Sequence, residues 1–364
     1  MYNILGKYVL RKFFWIFMAT TASLAAVSLL VDLIDLLRRA AEKDVSFLTL
    51  VGISLVKVPM IISQIIPFCI VIATIITLWR MTKSNELIIY RAVGVSAWKF
   101  TAPIIACSFI IGLFYVAIFN PFYVSMYNKH NVLLEKNGFS ADTTPFLSED
   151  GFWLRETNDS ITSVMFAKNI NLENRELILK GVKITNIEND YRLVSRIDAE
   201  TAVIKDGKIN MKLAVEMLSD LTINNLSDLS IPTSIKVNHL EENLSSPEKI
   251  SVWKMPRVIR FFEKTGFSST NHKLYFYSVL MAPFTFVAFA LIVIPFILTT
   301  NQRKGNVMPR LIMAVVASFV LFFFIKIIMA LGANASVPIF LAVAIPIIIA
   351  SILGVVAIMH YEDG

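Results

Sequence analysis

The sequence predicts an α-helical membrane protein with six transmembrane helices and one inserted all-β domain. Three observations carry this. Several apolar stretches are long enough to cross a bilayer, the acidic residues concentrate in one central segment, and that segment alternates apolar and polar residues as strands do. A hydrocarbon core about 30 Å thick needs about 20 apolar residues at 1.5 Å rise per residue. Of the 364 residues, 56% are hydrophobic and only 17% charged, where soluble domains have about a quarter charged.

Span one is expected from Phe13 to Leu37, after Lys7, Arg11 and Lys12 and with Asp32, Asp35, Arg38 and Arg39 at its far end. No small-residue cleavage site follows a short apolar core, so it reads as a retained helix rather than a signal peptide. Span two lies within Phe47 to Trp79. It is longer than a bilayer needs and contains Pro59 and Pro67, which predicts a tilt, a kink or a projection beyond the lipid. Span three covers Phe100 to Phe119, span four Leu274 to Thr299 with Pro283 and Pro295, span five Leu311 to Leu331 and span six Val337 to Met359. The domains are therefore 1–130 with spans one to three, 131–250 as the β domain, and 251–364 as a connecting helix with spans four to six.

The formal charge of +7 divides unevenly, since residues 120–270 hold 18 Lys and Arg against 20 Asp and Glu. The basicity belongs to the membrane part, where it is first an orientation signal and only distantly a sign of nucleic-acid binding. Lys7, Arg11, Lys12, Arg80, Lys83, Arg91, Lys99, Arg303, Lys304 and Arg310 fall on one side of the six spans, against Arg38, Arg39 and Lys43 on the other. Both termini are thus expected in the cytoplasm and the β domain outside it.

Within the β domain, alternation is visible in Phe152 to Arg155, in Thr162 to Lys168 and in Glu176 to Ile187, where one face would carry every second residue. Asp206-Gly207 between Thr201–Lys205 and Lys208–Leu213 is a hairpin signal. A sandwich or open barrel is expected. From Pro247 to Asn271 the spacing turns helical, with Val252, Met255, Ile259 and Phe262 three and four apart.

Several chemistries have no foothold. Cys69 and Cys107 lie in apolar stretches, and the four histidines have no close ligand spacing, so neither a disulfide framework nor a metal site is expected. No catalytic constellation of Ser/His/Asp, Cys/His or paired carboxylates appears within the spans. No G-x-x-x-x-G-K-[ST] phosphate cradle occurs, so the chain is expected to bind no cofactor directly and any ATP to be used by a partner ATPase.

The connection from Arg80 to Lys99 predicts a short amphipathic helix over about 84–94. Ser84 stands at its start, Glu86 in its first turn near the positive end of the helix dipole, and Leu87, Tyr90 and Arg91 on one face. Gly94 stands where a helix can stop in a left-handed turn. Two readings are open: a helix lying on lipid, or a docking helix for a soluble partner. The run Asn85-Glu86-Leu87-Ile88-Ile89-Tyr90-Arg91-Ala92-Val93-Gly94 resembles the "SELVVxRAxG" coupling-helix pattern of the LptF/LptG permease family, with Asn85 in place of the usual Ser. Asp35-Leu36-Leu37-Arg38-Arg39-Ala40-Ala41, Ser96-Ala97-Trp98-Lys99-Phe100 before Ala102-Pro103, and His360-Tyr361-Glu362-Asp363-Gly364 are most similar to its LptG branch.

The resemblance extends across the spans and, more weakly, the inserted domain. It implies a lipopolysaccharide-export permease of the inner membrane with a jellyroll-like periplasmic domain. It also implies a heterodimer with an LptF-type permease, an LptB-type ATPase dimer, and periplasmic bridge proteins of LptC and LptA type. Glu86, Leu87, Tyr90, Arg91 and Gly94 would then be the ATPase-coupling contact, transmitting closure of the nucleotide sites to the membrane helices. In the family, basic residues near Arg38 and Arg39 meet the lipid phosphates, and Asp32 stands where some relatives have a base.

From the residues alone, Asp35 is three and four positions from Arg38 and Arg39, so ion pairing on the helix surface competes with phosphate binding through the guanidinium forks. Lys57 and Lys326 fall inside predicted spans, where a lysine either snorkels or faces a cavity, and both are candidate lipid-phosphate ligands. A rival from another class is a non-transporting membrane receptor or scaffold displaying the β domain. Six spans with interior prolines and lysines are more than such an anchor needs.

Overall fold

The computed structural model describes residues 2–363 apart from 42, 44, 140–142, 149–150, 159–160, 174–175, 189–191, 206, 220–221, 234–245, 299–307 and 335. Asp206, Thr299, Arg303, Lys304 and Gly364 lie outside the described residues. Internal contacts divide the chain into two units, one of Met1–Asn137, Glu248–Lys254 and Lys273–Gly364, the other of Gly138–Pro247 and Met255–His272.

The first unit is helical. α1 (Tyr2–Arg39) is one uninterrupted helix of 38 residues, starting well before Phe13 because the basic residues ahead of the apolar run are themselves good helix formers. α2 (Phe47–Lys83) also stays one helix through Pro59 and Pro67. The seven-residue α3 (Glu86–Ala92) fills the connection. α4 (Ala97–Phe114) runs through a five-residue π-helix at Tyr115–Phe119 into α5 (Asn120–Lys136). The 40 residues of Ala97–Lys136 make a rod of about 60 Å, twice the hydrocarbon thickness.

Pro121 accounts for the widened turn. It has no N–H to give the carbonyl of Ala117 four residues back, and the indole Nε1 of Trp253 donates to that oxygen instead at 3.3 Å. Asn120 completes a clasp at the same level. Its Oδ1 accepts the backbone N–H of Val252 at 2.8 Å, and its Nδ2 donates to the hydroxyl of Tyr123 at 3.1 Å. The Tyr123 hydroxyl in turn bonds that of Tyr275. Segment Glu248–Lys254 is thereby pinned to the end of the third span.

The fourth span, expected over Leu274 to Thr299 with Pro283 and Pro295, is bent. α7 (Thr270–Leu280) and α8 (Ala282–Leu298) meet at a 61° bend, because Pro283 cannot donate to the Val279 carbonyl and takes the second position of a new helix. α9 (Met308–Ala333) and α10 (Ile339–Asp363) follow. Among the described residues, five helices are long and apolar enough to cross a bilayer, or six when the bent pair counts as one. α8 is apolar on every side and mostly buried, as a central helix must be. Its neighbours reach it through glycines: a Cβ on Gly112 of α4 would stand 2.3 Å from Cα of Pro283, and one on Gly354 of α10 would stand 2.7 Å from Cβ of Leu291.

The second unit is the all-β domain. β1 (Thr143–Ser148), β2 (Gly151–Asn158), β3 (Ile161–Glu173), β4 (Glu176–Glu188), β5 (Leu193–Lys205), β6 (Lys208–Leu218) and β7 (Ile223–Pro232) form one antiparallel sheet in sequence order. The expected hairpin joins β5 to β6, with Lys205 opposite Lys208 and Gly207 at φ 73°.

The alternation is not strict, and its failure is ordered. In four neighbouring strands two consecutive residues face outward between buried ones: Lys168-Asn169, Lys180-Gly181, Glu200-Thr201 and Lys212-Leu213. Gly181 and Leu213 have positive φ there, 65° and 54°. The slips align across the sheet and crease it, so apolar residues on both sides of the crease still point to one core. That core includes Leu154, Met165, Val182 and Ile184 on one side and Leu177, Leu179, Ile204 and Met211 on the other. Thr233, just past β7, donates to the Glu156 carboxylate of β2 at 3.0 Å. In a flat sheet those strands would lie about 24 Å apart at roughly 4.8 Å per strand, so the sheet curls back on itself. Phe262 of α6 (Met255–Lys264) and Phe267 after it belong to the same core.

Candidate functional site

α3 is placed by two unusual backbone positions. Asn85 ahead of it has φ 57°, a left-handed conformation that Asn tolerates far better than most residues. This departure from the usual Ser thus suits the turn. Ser84 is the residue that caps the C-terminus of α2, its hydroxyl 2.9 Å from the Arg80 carbonyl and 2.7 Å from Oε1 of Glu86. At the other end Gly94 adopts φ 76°, and Val95 N–H bonds the Tyr90 carbonyl across it at 2.9 Å, the closing pattern of a left-handed helix stop.

The faces of α3 are distinct. Leu87 is 4% exposed and lies in the bundle core, with Tyr90 packed against it. Ile89 is 59% and Val93 74% exposed. The side chain of Arg91 lies outside the described residues. Glu86 turns toward α1. Tyr8 donates to its Oε1 at 3.1 Å, Lys12 lies 3.4 Å from the same oxygen, and Lys12 also donates to the Tyr8 hydroxyl at 3.0 Å. Oε2 is buried without a hydrogen-bond partner among the described residues. Burial first, and then the Glu86 charge, push the Tyr90 phenol above its ordinary range, which keeps it protonated.

A second cluster occupies the opposite end of α1. Arg39 pairs with Asp35 one turn back at 2.6 Å, both well exposed, so the surface pairing expected from the spacing forms. Arg38 is exposed with no ion-pair partner among the described residues. Lys57 of α2 is ion-paired with Asp32, the side chains 33% and 15% exposed. Nearby His130, buried on α5, bonds the Ile53 carbonyl of α2 at 3.0 Å through Nδ1. Lys326 of α9 holds its ammonium 5.6 Å from the centre of the Phe322 ring.

The structure therefore joins Lys57 to Asp32 and Arg39 to Asp35, ties Glu86 to Tyr8 and to Lys12, the latter an orientation signal in the sequence, and among the described residues forms no ion pair between Lys326 and the rest. Tyr8 and Lys12 were not readable as partners of Glu86 because 78 and 74 residues separate them. Their spacing of four, one face of one helix, was the only available sign.

The family model described as lipopolysaccharide export system permease LptF/LptG matches residues 7–360. The chain belongs to the LptF/LptG family. Comparison with curated proteins gives no match. Membership makes the chain a multi-pass membrane protein, supports a lipopolysaccharide export permease role, and assigns it to a transport component without its own ATPase site, working in a system with partner proteins.

In this permease the partly buried Asp32–Lys57 pair should matter for stability once it is broken on one side. Removing one partner leaves a charge in a partly buried, low-dielectric place, which costs on the order of 3 kcal/mol. Asp32→Ala and Lys57→Met should each lower the melting point of the detergent-solubilised protein. The double replacement should lower it less than the sum of the two.

Proposed function

We propose that this chain is the LptG-type permease subunit of an ABC-type lipopolysaccharide exporter in the bacterial inner membrane. It pairs with an LptF-type permease, is driven by an LptB-type ATPase dimer that alone uses ATP, and passes the lipid to periplasmic bridge proteins of LptC and LptA type. Both termini lie in the cytoplasm, as the ten basic residues of the terminal and connecting segments favour, and the β domain lies in the periplasm. The observation that carries the reading is that one family description runs through both sets of spans and the β domain, over residues 7–360.

The physics of the cargo sets the task. Each buried methylene of an acyl chain is worth about 0.8 kcal/mol, so a lipid with several chains costs on the order of tens of kcal/mol to expose to water. Passing the lipid from one apolar surface to another, without release into water, avoids that exposure. α3 is the coupling helix: Leu87 and Tyr90 seat it on the bundle, Gly94 ends it, and the exposed Ile89 and Val93 are what an ATPase would meet.

Arg38 and Arg39 hold the lipid phosphates, with Lys57 and Lys326 as lesser contributors. Because Asp35 already occupies Arg39, Arg38 is the stronger phosphate ligand. Arg38→Ala should reduce lipid crosslinking by about tenfold and Arg39→Ala by less, in line with one charge-assisted hydrogen bond. Equal and negligible losses would remove both from the lipid site. The reading as a whole is tested by purifying the chain from its native membrane and identifying what accompanies it by mass spectrometry. A second permease, an ATPase and lipopolysaccharide are expected; a chain that emerges with none of them would overturn it.

A further inference from the structure

We propose that Tyr8 and Lys12 are positioning residues that fasten α3 to α1, so that motion delivered to α3 passes directly into α1. This rests on the coupling role given to α3 above and adds to it an output. Glu86 does not stand free toward a partner. Its Oε1 takes the hydroxyl of Tyr8, faces the ammonium of Lys12 and lies 2.7 Å from the hydroxyl of Ser84, while Oε2 is buried with nothing to bond among the described residues. The carboxylate is therefore fastened through one oxygen, locally to Ser84 and, across the bundle, to α1.

The two donors are one helical turn apart on one face, and they arrange each other. Lys12 donates to the Tyr8 hydroxyl at 3.0 Å and sits 5.0 Å from the centre of its ring. Removing either leaves a partly buried carboxylate short of donors.

α1 is suited to carry the motion onward. It is continuous over 38 residues with no proline inside, whereas α2 contains two prolines and the rod of α4 and α5 is interrupted by the π turn. A shift at residue 12 reaches Leu36 about 36 Å along the axis. That end carries Asp32, paired with Lys57 of α2, and the arginines. Movement of α1 against α2 therefore acts on the charges grouped there, and the Glu86 link is what makes α1 move with α3 rather than wait for α2 to drag it.

The test uses the whole purified complex in proteoliposomes and reads lipid moved per ATP hydrolysed. Lys12→Glu and Glu86→Lys should each lower that ratio by about tenfold or more, the weight of one hydrogen bond to a charged group. The exchanged pair, Lys12→Glu with Glu86→Lys, should restore it to within a few-fold of the unaltered complex. Tyr8→Phe, which removes a single hydroxyl and leaves the packing in place, should lower it about threefold. An exchanged pair as defective as Glu86→Lys alone, with Tyr8→Phe unaffected, would overturn the link and leave Glu86 as a contact to the ATPase only. An unaltered complex that carries no ATPase would sink the coupling reading itself, and the link with it.

Discussion

Glu86→Lys should leave a complex that assembles but moves almost no lipid. The substitution sets a second ammonium beside Lys12, 3.4 Å from where the carboxylate oxygen stood, and removes the acceptor of the Tyr8 hydroxyl. Hydrogen bonds to a charged group are worth about 1.5–3 kcal/mol, so the arrangement that transmits motion loses roughly 10- to 150-fold in population. Glu86→Gln keeps an acceptor for Tyr8 and gives up only the charge, and its loss should be several-fold. Measuring ATP hydrolysis and lipid release in the same vesicles separates coupling from folding. Wild-type coupling in the lysine variant would discard the role given to this helix.

Gly112→Ala should be the most destabilising single-methyl addition in the bundle. Its Cβ would fall 2.3 Å from Cα and 2.8 Å from N of Pro283. Both are backbone atoms at the start of a bent helix, where no side-chain rotamer can yield. Overpacking of this kind costs about 1–3 kcal/mol even where side chains can move aside, and here the helices must separate. Gly52→Ala in α2 is the matched control. Nothing lies within 4 Å of its added Cβ, and replacing a mid-helix glycine gains about 0.8–1 kcal/mol of helix propensity. The same chemical change is thus expected to lower the melting point at one position and raise it at the other.

The spans and the class of the inserted domain were legible in the sequence because apolar runs and alternation report solvent, which acts on each residue locally. What escaped was set by pairs of distant residues. The bend at Met281 shows in the sequence only as Pro283, the same residue type that α2 absorbs at Pro59 and Pro67 without breaking. The π turn needs Trp253 to satisfy a carbonyl 136 residues away. For the candidate site, the helix stop at Gly94 followed from local conformation and was readable. The inward turn of Leu87 and Tyr90 and the capture of Glu86 by α1 depended on which face meets the bundle, and a seven-residue helix is too short for periodicity to say.

The aligned slips in the sheet have a consequence for how the domain tolerates change. Four strands each spend one additional residue at the same level, so the sheet is built as two leaves hinged on a common spine, and each leaf keeps its own parity. Deleting one residue from a strand at the spine, Gly181 for instance, would turn half of β4 inside out and send Leu177 and Leu179 to the surface, while the other half stayed in frame. Lengthening or shortening a strand at its free ends does no such thing, so variation in strand length can accumulate at the rims of the domain while the spine stays fixed.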